Sequence, residues 1–520
     1  MQDNAGKCTE ENTVICERKC TGGRLESACD FYLPDYMGDV KRIMVSEAVA
    51  MNAGYSENEG GVSFAVVVGY SVIYLDGENR LTEAQFTSDL EFSVPCDEKI
   101  VDATLELDVP SLQIRAAGAR KLSAKATVSA EVGLLVKRCM PPETLPAGSE
   151  TVLSEISLYS PRYLPPCEYD LAEQIAFIED VSAEELEVIF ERAEVLHAEV
   201  TRDDTGAGVE AELLGRCLIR KNGESYAAHS GVLKLSAPLP EQWEGQVPDC
   251  LKVDITSVSC SVNNATSDED MRVGASVVIG LVAELSGRVD GCVKRRVVRD
   301  AFIPGKASEC TVQSLEYDEL CFKRDVRERV SFDIMAGDIG LERLDDLLLC
   351  TSKFKMGETV NEDGELYCEG EIMTSGIALS DGRAVQFKRA YPVRVPLKLP
   401  CDNGVRLLRT VELQACEHHP AQDRIGVVCT LKMYIRGIKR KSERAVADIH
   451  SEPCDECSDF GVCIYYPRVG DTLFSVAKKY RVGCEGIAER NGIAVPTLSV
   501  NNNELKLDIA KPIIIEKTLK

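Results

Sequence analysis

Apolar and polar residues alternate with a period of two along most of the chain, which predicts β-strands. Shorter alternating runs lead into a turn, and longer runs follow it. The runs before the turns cover residues 62–75, 209–219 and 366–379, and the longer runs after them cover residues 100–136, 251–285 and 405–435. The pattern therefore predicts a mainly β protein built from three similar units.

Three hairpin turns share one spacing to a later proline. They are Asp76-Gly77 with Pro95, Asn222-Gly223 with Pro240, and Asp381-Gly382 with Pro400. The glycine lies 18 residues before the proline in the first and third units and 17 residues before it in the second. Asp-Gly and Asn-Gly pairs between apolar runs are typical of β-hairpins, because these residues tolerate the positive φ of the turn. We infer three tandem repeats whose turns occupy equivalent positions.

A short helix is predicted ahead of the turn in each repeat. Residues 40–45 follow Asp39 in the first repeat, and Ser182 with Glu185 has the form of a capping box in the second. In the third repeat, Asp338 precedes leucines at helical spacing. Each repeat is thus expected to be β-rich with one short helix.

Domain boundaries are predicted from the composition between the repeats. Residues 141–166 include six prolines, which are incompatible with regular helix or a central strand. The predicted order is a polar N-terminal tail (1–30), repeat one (31–140), a proline-rich linker (141–171), repeat two (172–290), a linker (291–330), repeat three (331–438), a linker (439–462) and a terminal module (463–517).

The terminal module has a pattern of its own. It contains Gly470-Asp471-Thr472-Leu473, in which the glycine permits a tight turn and Asp471 or Thr472 caps a helix. A second helix is predicted over residues 485–491, where Asn491-Gly492 suits a left-handed C-terminal cap. With a strand at either end, the module is expected to be a small α/β domain of βααβ order. This sequence resembles the LysM family.

The LysM resemblance implies a binding groove between two loops. In that family the groove lies between the Gly-Asp-Thr-Leu loop and the loop after the second helix, and helix N–H groups there are expected to receive carbonyl groups of the ligand. The ligand is an N-acetylated glycan or an anchor side chain of a protein. The family's closing glycine and proline are missing from residues 507–516, which counts against a glycan. The candidate binding residues are Gly470, Asp471, Thr472, Leu473, Asn491, Gly492 and Ile493.

A second resemblance covers the repeats. Leu33-Pro34-Asp35-Tyr36, followed by Asp39 and Ile43, is similar to the start of the SPOCS repeat of spore-forming bacteria. Three such repeats and one LysM module are the arrangement of a clostridial family of coat-morphogenesis proteins. This resemblance implies a non-enzymatic scaffold in the mother-cell cytoplasm, recruited to the forespore surface, whose LysM module docks the basement-layer ATPase of the spore coat or another coat protein. The alternative is a peptidoglycan-binding protein that recognises N-acetylglucosamine glycans.

The charge distribution narrows the choice of partners. The net charge is −26, and residues 463–520 carry nine basic and six acidic residues, so this module is +3 and the remainder is −29. An acidic body repels phosphate backbones and anionic lipid, which argues against nucleic acid as a partner. The positive module favours an acidic strip on a protein partner. The apolar runs are about half as long as a membrane helix requires, so we expect no membrane insertion.

Cysteine content and motif searches predict no cofactor and no catalytic site. The chain has 22 cysteines and no apolar secretory signal at its start, so we expect reduced and mostly buried thiols, with oxidative cross-linking in an assembly as the alternative.

Two segments have the residue types of metal ligands, namely Cys454-Asp455-Glu456-Cys457 and Cys416-Glu417-His418-His419. Neither offers four ligands at a recognised spacing, so no metal is expected. The sequence has no phosphate-binding loop, zinc-protease motif or nucleophile elbow.

Overall fold

The computed structural model describes residues 13–141, 145–203, 206–223, 225–266, 273–399, 404–453, 461–494 and 505–516. These residues form three repeats of six β-strands each, followed by a small module of two strands and two α-helices. The predicted fold class, mainly β with a C-terminal βααβ module, is confirmed.

Each repeat consists of two three-stranded antiparallel sheets. The first strand leads into a meander of three strands, and the last two strands return to the first. In repeat one the strands are β1 (Thr13–Tyr32), β2 (Arg42–Asn58), β3 (Gly61–Leu75), β4 (Leu81–Pro95), β5 (Lys99–Gly118) and β6 (Lys121–Cys139). The meander has the order β2-β3-β4, and the other sheet has the order β1-β6-β5.

The second and third repeats have the same strand order. Repeat two contains β7 (Glu150–Glu179), β8 (Leu186–Asp203), β9 (Gly206–Lys221), β10 (Ser225–Pro238), β11 (Cys250–Thr266) and β12 (Val273–Phe302). Repeat three contains β13 (Lys306–Met335), β14 (Asp346–Glu362), β15 (Glu365–Ser380), β16 (Arg383–Pro396), β17 (Val405–Pro420) and β18 (Arg424–Pro453). Their sheets are β8-β9-β10 with β11-β12-β7, and β14-β15-β16 with β13-β18-β17.

The three predicted turns fall at one place in the topology, between the second and third strands of each meander. Asp381-Gly382 has φ values of 50° and 68°, as the two-residue turn between the paired residues Ser380 and Arg383 requires. Asn222-Gly223 has φ values of 48° and 73° and lies between the paired residues Lys221 and Ser225. Asp76 instead begins a longer loop, in which its buried carboxylate accepts hydrogen bonds from two N–H groups of that loop. The prediction that the turns are equivalent is confirmed. Pro400, which ends the third spacing, lies outside the described residues.

The helix predictions hold only in part. Residues 42–45 belong to β2, where Ile43 pairs with Tyr74, because β-branched residues with a partner strand favour extended backbone. Ser182 and Glu185 do form the predicted capping box, but around a single 3-10 turn (Ala183–Glu185). In repeat three Asp338 lies in another 3-10 turn (Ala336–Ile339), but the predicted helix does not continue, because Leu347 and Leu348 belong to β14, which pairs with β15. A further 3-10 turn covers Glu241–Trp243.

The predicted tail and linkers are wrong where the structure describes them. Residues 13–30 of the tail belong to β1, which pairs with β6 along its length. Residues 150–171 of the proline-rich linker belong to β7, most of residues 291–330 belong to β12 and β13, and β18 continues to residue 453. Pro165 and Pro166 are tolerated because β7 is an edge strand whose register shifts opposite them. The repeats therefore begin one strand earlier than predicted.

The meanders of the three repeats pack around a common centre. Contacts join β4 to β8, β10 to β14, and both β15 and β16 back to β2, so each repeat touches the other two. Ile73, Leu218 and Ile377 come from the equivalent strands β3, β9 and β15 and are buried in one cluster. The carboxylate of Glu47 accepts a hydrogen bond from Thr351 of repeat three at 3.0 Å. The repeats form a closed ring rather than a row of separated domains.

A buried ionic cluster joins the other sheets of the three repeats. Arg436 of β18 is 1% exposed, and its guanidinium lies 3.5 Å from Glu17 of β1 and 3.2 Å from Asp290 of β12. The hydroxyls of Tyr159 and Tyr434 donate to Asp290 at 2.5 and 2.6 Å. Burial raises the pKa of Asp290, but two neighbouring arginine charges and these hydroxyl groups outweigh burial, so its pKa is lowered. Each buried charge thus has a compensating partner from another strand.

The prediction of reduced thiols is confirmed for the described cysteines with one exception, but the prediction that most of them are buried is not. Seventeen cysteines of the described residues are free; seven of these are buried and only Cys292 and Cys321 are exposed. Cys139, by contrast, is disulfide-bonded. It is the exposed last residue of β6, where the sheet no longer covers the side chain. The expectation of a reduced thiol is wrong at that position.

Candidate binding site of the terminal module

The terminal module consists of two helices packed on a two-stranded antiparallel sheet. Its elements are β19 (Val462–Tyr465), α1 (Leu473–Tyr480), α2 (Cys484–Arg490) and β20 (Ile513–Glu516). Leu473, Val476 and Ala477 form the buried stripe of α1 and pack with Ile487 of α2 and Ile515 of β20. The predicted βααβ order and the apolar stripe of the first helix are confirmed.

The loop before α1 is ordered by the Asp471 side chain. Gly470 has a φ of +95°, which favours glycine at this position. The Asp471 carboxylate accepts hydrogen bonds from the Arg468 N–H at 2.7 Å and from the Tyr465 hydroxyl at 2.7 Å. These two bonds, the backbone one first, hold the pKa of Asp471 below its usual value. The carboxylate therefore shapes the loop rather than capping the helix.

Thr472 is the residue that caps α1. Its hydroxyl accepts a hydrogen bond from the Ser475 N–H at 3.1 Å, and the Ser475 hydroxyl accepts one from the Thr472 N–H at 2.9 Å. Leu473 is fully buried, and its N–H donates to the Leu505 carbonyl at 2.8 Å. The expectation that the Leu473 side chain contacts a ligand is therefore wrong, because it fills the core. Most N–H groups at the start of α1 have partners within the module.

Asn491 ends α2 and fastens it to the last strand. Its side-chain amide donates to the Ile514 carbonyl at 2.7 Å, and its side-chain oxygen accepts from the Ile514 N–H at 2.7 Å. Gly492 has a φ of +62°, and the N–H groups of Gly492 and Ile493 donate to carbonyls of the last helical turn. The predicted left-handed cap is confirmed. Asn491 is committed to the fold, whereas Ile493 is half-exposed above the core.

The two candidate loops belong to the same end of the helix pair, because α1 begins there, α2 ends there, and residues 481–483 connect the opposite ends. Thr472 also forms a β-bridge with Lys506. Residues 495–504, which follow the second helix and include most of the second loop of the predicted groove, lie outside the described residues. Of the seven predicted binding residues, Gly470 and Gly492 are exposed and Leu473 is buried. The other four, Asp471, Thr472, Asn491 and Ile493, are half-buried.

Exposed apolar side chains lie in β19 and in the segment between β19 and α1. Ile464, Tyr466 and Val469 are 61%, 69% and 90% exposed. Tyr465 is half-buried and its hydroxyl donates to Asp471, whereas the next residue, Tyr466, is exposed, as expected when successive side chains point to opposite faces. Sequence reasoning missed Ile464 and Val469, because alternation does not reveal that one face of a two-stranded sheet stays uncovered.

The opposite end of the helix pair is attached to repeat two. The Glu150 carboxylate at the start of β7 accepts a hydrogen bond from the Cys484 N–H at 2.8 Å, the first residue of α2. A carboxylate at a helix N-terminus is favourable for the helix dipole. The Gly305 N–H, between β12 and β13, donates to the Arg481 carbonyl at 2.8 Å. The body thus satisfies backbone groups of the module.

Side chains extend this attachment along α1 as far as its first turn. Phe302 and Phe474 pack edge to face with ring centroids 5.2 Å apart, and Val152 joins the same buried cluster. Lys478 of α1 pairs with Asp300 of β12. The sequence offered no indication of this contact, because residues 150–152 and 300–305 lie in segments predicted to be linkers. The module therefore packs against the ring of repeats through backbone and side-chain contacts.

The metal-like segments do not form a metal site within the described residues. No group of histidine, cysteine and carboxylate side chains there is arranged to hold a metal. Cys454 and Cys457 lie outside the described residues. The His418 ring is hydrogen-bonded to Ser352 at 3.0 Å and lies 3.3 Å from Arg216, and burial lowers its pKa to about 3. It is a neutral structural histidine.

Comparison with known proteins assigns a family to the module. Residues 468–502 match the LysM domain family. No curated protein and no solved structure matches the chain. None of the described helices is both long and apolar enough to span a membrane.

Proposed function

We propose that this protein is a non-enzymatic scaffold of spore-coat morphogenesis whose LysM module binds a protein partner. The family match of residues 468–502 supports a binding role, since LysM modules bind peptidoglycan or proteins. The sporulation role rests on the resemblance of the segment from Leu33 to Ile43 to SPOCS repeats. The proposed partner is the basement-layer ATPase or another coat protein, met in the mother cell at the forespore surface.

The attachment of the module carries this proposal. The body holds the module through Glu150, where α1 and α2 connect, and through Phe302, which packs on Phe474 in the first turn of α1. A binding surface held on a rigid support loses less conformational freedom when a large partner docks. A scaffold that positions one protein against another requires this property.

The exposed apolar side chains favour a protein ligand over a glycan. Ile464 and Val469 are aliphatic, and their side chains are exposed to solvent. Exposed aliphatic side chains suit contacts between proteins, whereas a sugar chain mainly offers hydroxyl and acetamido groups. Peptidoglycan binding remains the second candidate because of the family match.

Ile493→Glu in the full-length chain tests the proposed site. A charge placed in a desolvated contact lacks a partner, so we expect affinity for the purified basement-layer ATPase to fall by roughly tenfold or more. Val312→Glu, a partly exposed position on β13, is the control and should bind as the unmodified chain does. Circular dichroism establishes that both variants are folded.

Sedimentation with peptidoglycan sacculi decides between the two candidates. If the unmodified chain binds sacculi and not the ATPase, and Ile493→Glu abolishes that binding, the function is glycan recognition. If folded Ile493→Glu binds every ligand normally, the candidate groove is not the site.

A further inference from the structure

A small pocket lies where the three repeats meet, next to the buried ionic cluster. Its volume is about 140 Å³, and strands of all three repeats line it. The pocket differs in charge from the acidic body, because five cationic side chains line it against two carboxylates. The cations are Arg18, Lys19, Arg138, Arg406 and Arg440, and the carboxylates are Glu17 and Asp318.

The two lining carboxylates do not fully satisfy these cations. Glu17 is engaged by Arg436 of the buried cluster at 3.5 Å. Asp318 lies 3.8 Å from Arg406 and 3.5 Å from Arg440, which is close enough for an ion pair but long for a good hydrogen bond. Most N–H donors of the Arg406 guanidinium are therefore available to a ligand.

The first repeat contributes a second loosely paired guanidinium. Arg18 lies 3.7 Å from both Asp97 and Glu98, and Glu98 is already bound to Arg138 at 2.9 Å. Arg138 and Arg440 both line the pocket and carry like charges. Although the hydrogen bond to Glu316 raises the pKa of Arg440, the positive charge of Arg138 acts in the opposite direction. An anion between these groups would relieve that repulsion.

We propose that this pocket binds a small multivalent oxyanion of the phosphate class, which bridges the three repeats. A guanidinium has five N–H donors in a fork that fits two oxygens of one oxyanion. Arg18 of repeat one and Arg406 of repeat three both line the pocket and each carry such a fork. The bound anion would tie the ring together at its centre. This site is separate from the LysM module and independent of the partner proposed for it.

Calorimetric titration of the full-length protein with inorganic phosphate, at constant ionic strength, tests the proposal. We expect saturable binding of one phosphate per chain. Arg406→Gln and Arg18→Gln should each lower the affinity by roughly tenfold, since each removes charge-assisted hydrogen bonds. The matched control is Arg343→Gln, because Arg343 is as exposed as Arg406 (60% against 58%) but pairs with Asp345 away from the pocket.

Two results would overturn the proposal. One is that chloride at the same ionic strength produces the same response as phosphate, which would mean non-specific screening only. The other is that folded Arg406→Gln and Arg18→Gln proteins both bind phosphate as the Arg343→Gln control does.

Discussion

Replacing Arg436 by methionine tests whether the three repeats unfold as one ring. Methionine retains apolar bulk in the site but carries no charge. The variant leaves Glu17 and Asp290, whose side chains are 3% and 0% exposed, without the cation they share. Because these two carboxylates come from repeats one and two, the damage concerns contacts between repeats.

The expected loss follows from the distances. At 3.2 and 3.5 Å and an effective dielectric constant of about 20, each gross attraction is about 5 kcal/mol. Desolvation of the three charges offsets most of this attraction, so the intact cluster contributes little net stability. Removing one partner nevertheless strands a buried charge, which typically costs about 3–5 kcal/mol. Asp290 keeps Arg288 at 3.2 Å, so we expect about 3 kcal/mol.

The fluorescence of Trp243 reports the unfolding of repeat two, whereas Arg436 lies in repeat three. Trp243 is the single tryptophan of the chain and is buried in repeat two, where its indole N–H donates to the Pro165 carbonyl at 2.9 Å. In urea unfolding, Arg436→Met should lower the midpoint seen by tryptophan fluorescence as much as the midpoint seen by circular dichroism. The control Arg424→Met removes an exposed ion pair with Asp333 from the same strand and should cost less than about 1 kcal/mol.

Two outcomes would refute this reasoning. If the fluorescence midpoint does not move while circular dichroism shows an earlier separate transition, the repeats unfold independently. If Arg436→Met costs no more than Arg424→Met, the buried cluster does not lock the ring. A double-mutant cycle with Glu17→Gln measures the coupling between repeats one and three directly, and we expect the double variant to cost less than the sum of the single ones.

Two further predictions concern single carboxylates. Folding lowers the pKa of Asp290, so the stability this residue contributes is present above its unfolded pKa of about 3.9 and is lost as the pH falls through the folded value. Asp290→Asn should therefore lower the melting temperature at neutral pH and reduce the loss in acid, and an unchanged acid loss in a pH series would contradict it. Glu150→Ala should speed hydrogen exchange of the Cys484 amide by loosening the LysM module, whereas the surface variant Glu155→Ala should not; equal exchange in both would show that the attachment does not depend on Glu150.

The local elements of the repeats were predictable because their signals lie close together in the chain. Asn222-Gly223 and Asp381-Gly382 have residue types that tolerate positive φ, and alternating runs flank them. The capping box of Ser182 was also predictable from the sequence. The sequence did not indicate that the helix would end after one turn. Residues 40–45 show the limit, since the same apolar spacing suits a helix until β3 provides a partner strand.

The candidate site was predictable only where it depends on local chemistry. Gly470, Thr472 and Gly492 adopt the turn and cap geometry that their residue types indicate. Whether a side chain faces a ligand or the core is decided by packing across the module. Leu473 is buried against residues of β20. The side chain of Asn491 is hydrogen-bonded to the backbone of Ile514, more than twenty residues away along the chain.

The sequence by itself determined the strand-rich repeats, their turns and the βααβ module, because periodicity and turn chemistry act over a few residues. Only the tertiary structure decided that the repeats close into a ring and that the module is attached to it. Those features depend on groups such as Glu17, Asp290 and Arg436, which are distant along the chain and carry no shared pattern. Glu17 lies in the predicted tail, and Asp290 and Arg436 lie at the ends of predicted repeats, where no local pattern shows that the fold buries the three charges together. Their energetic role arises from that burial.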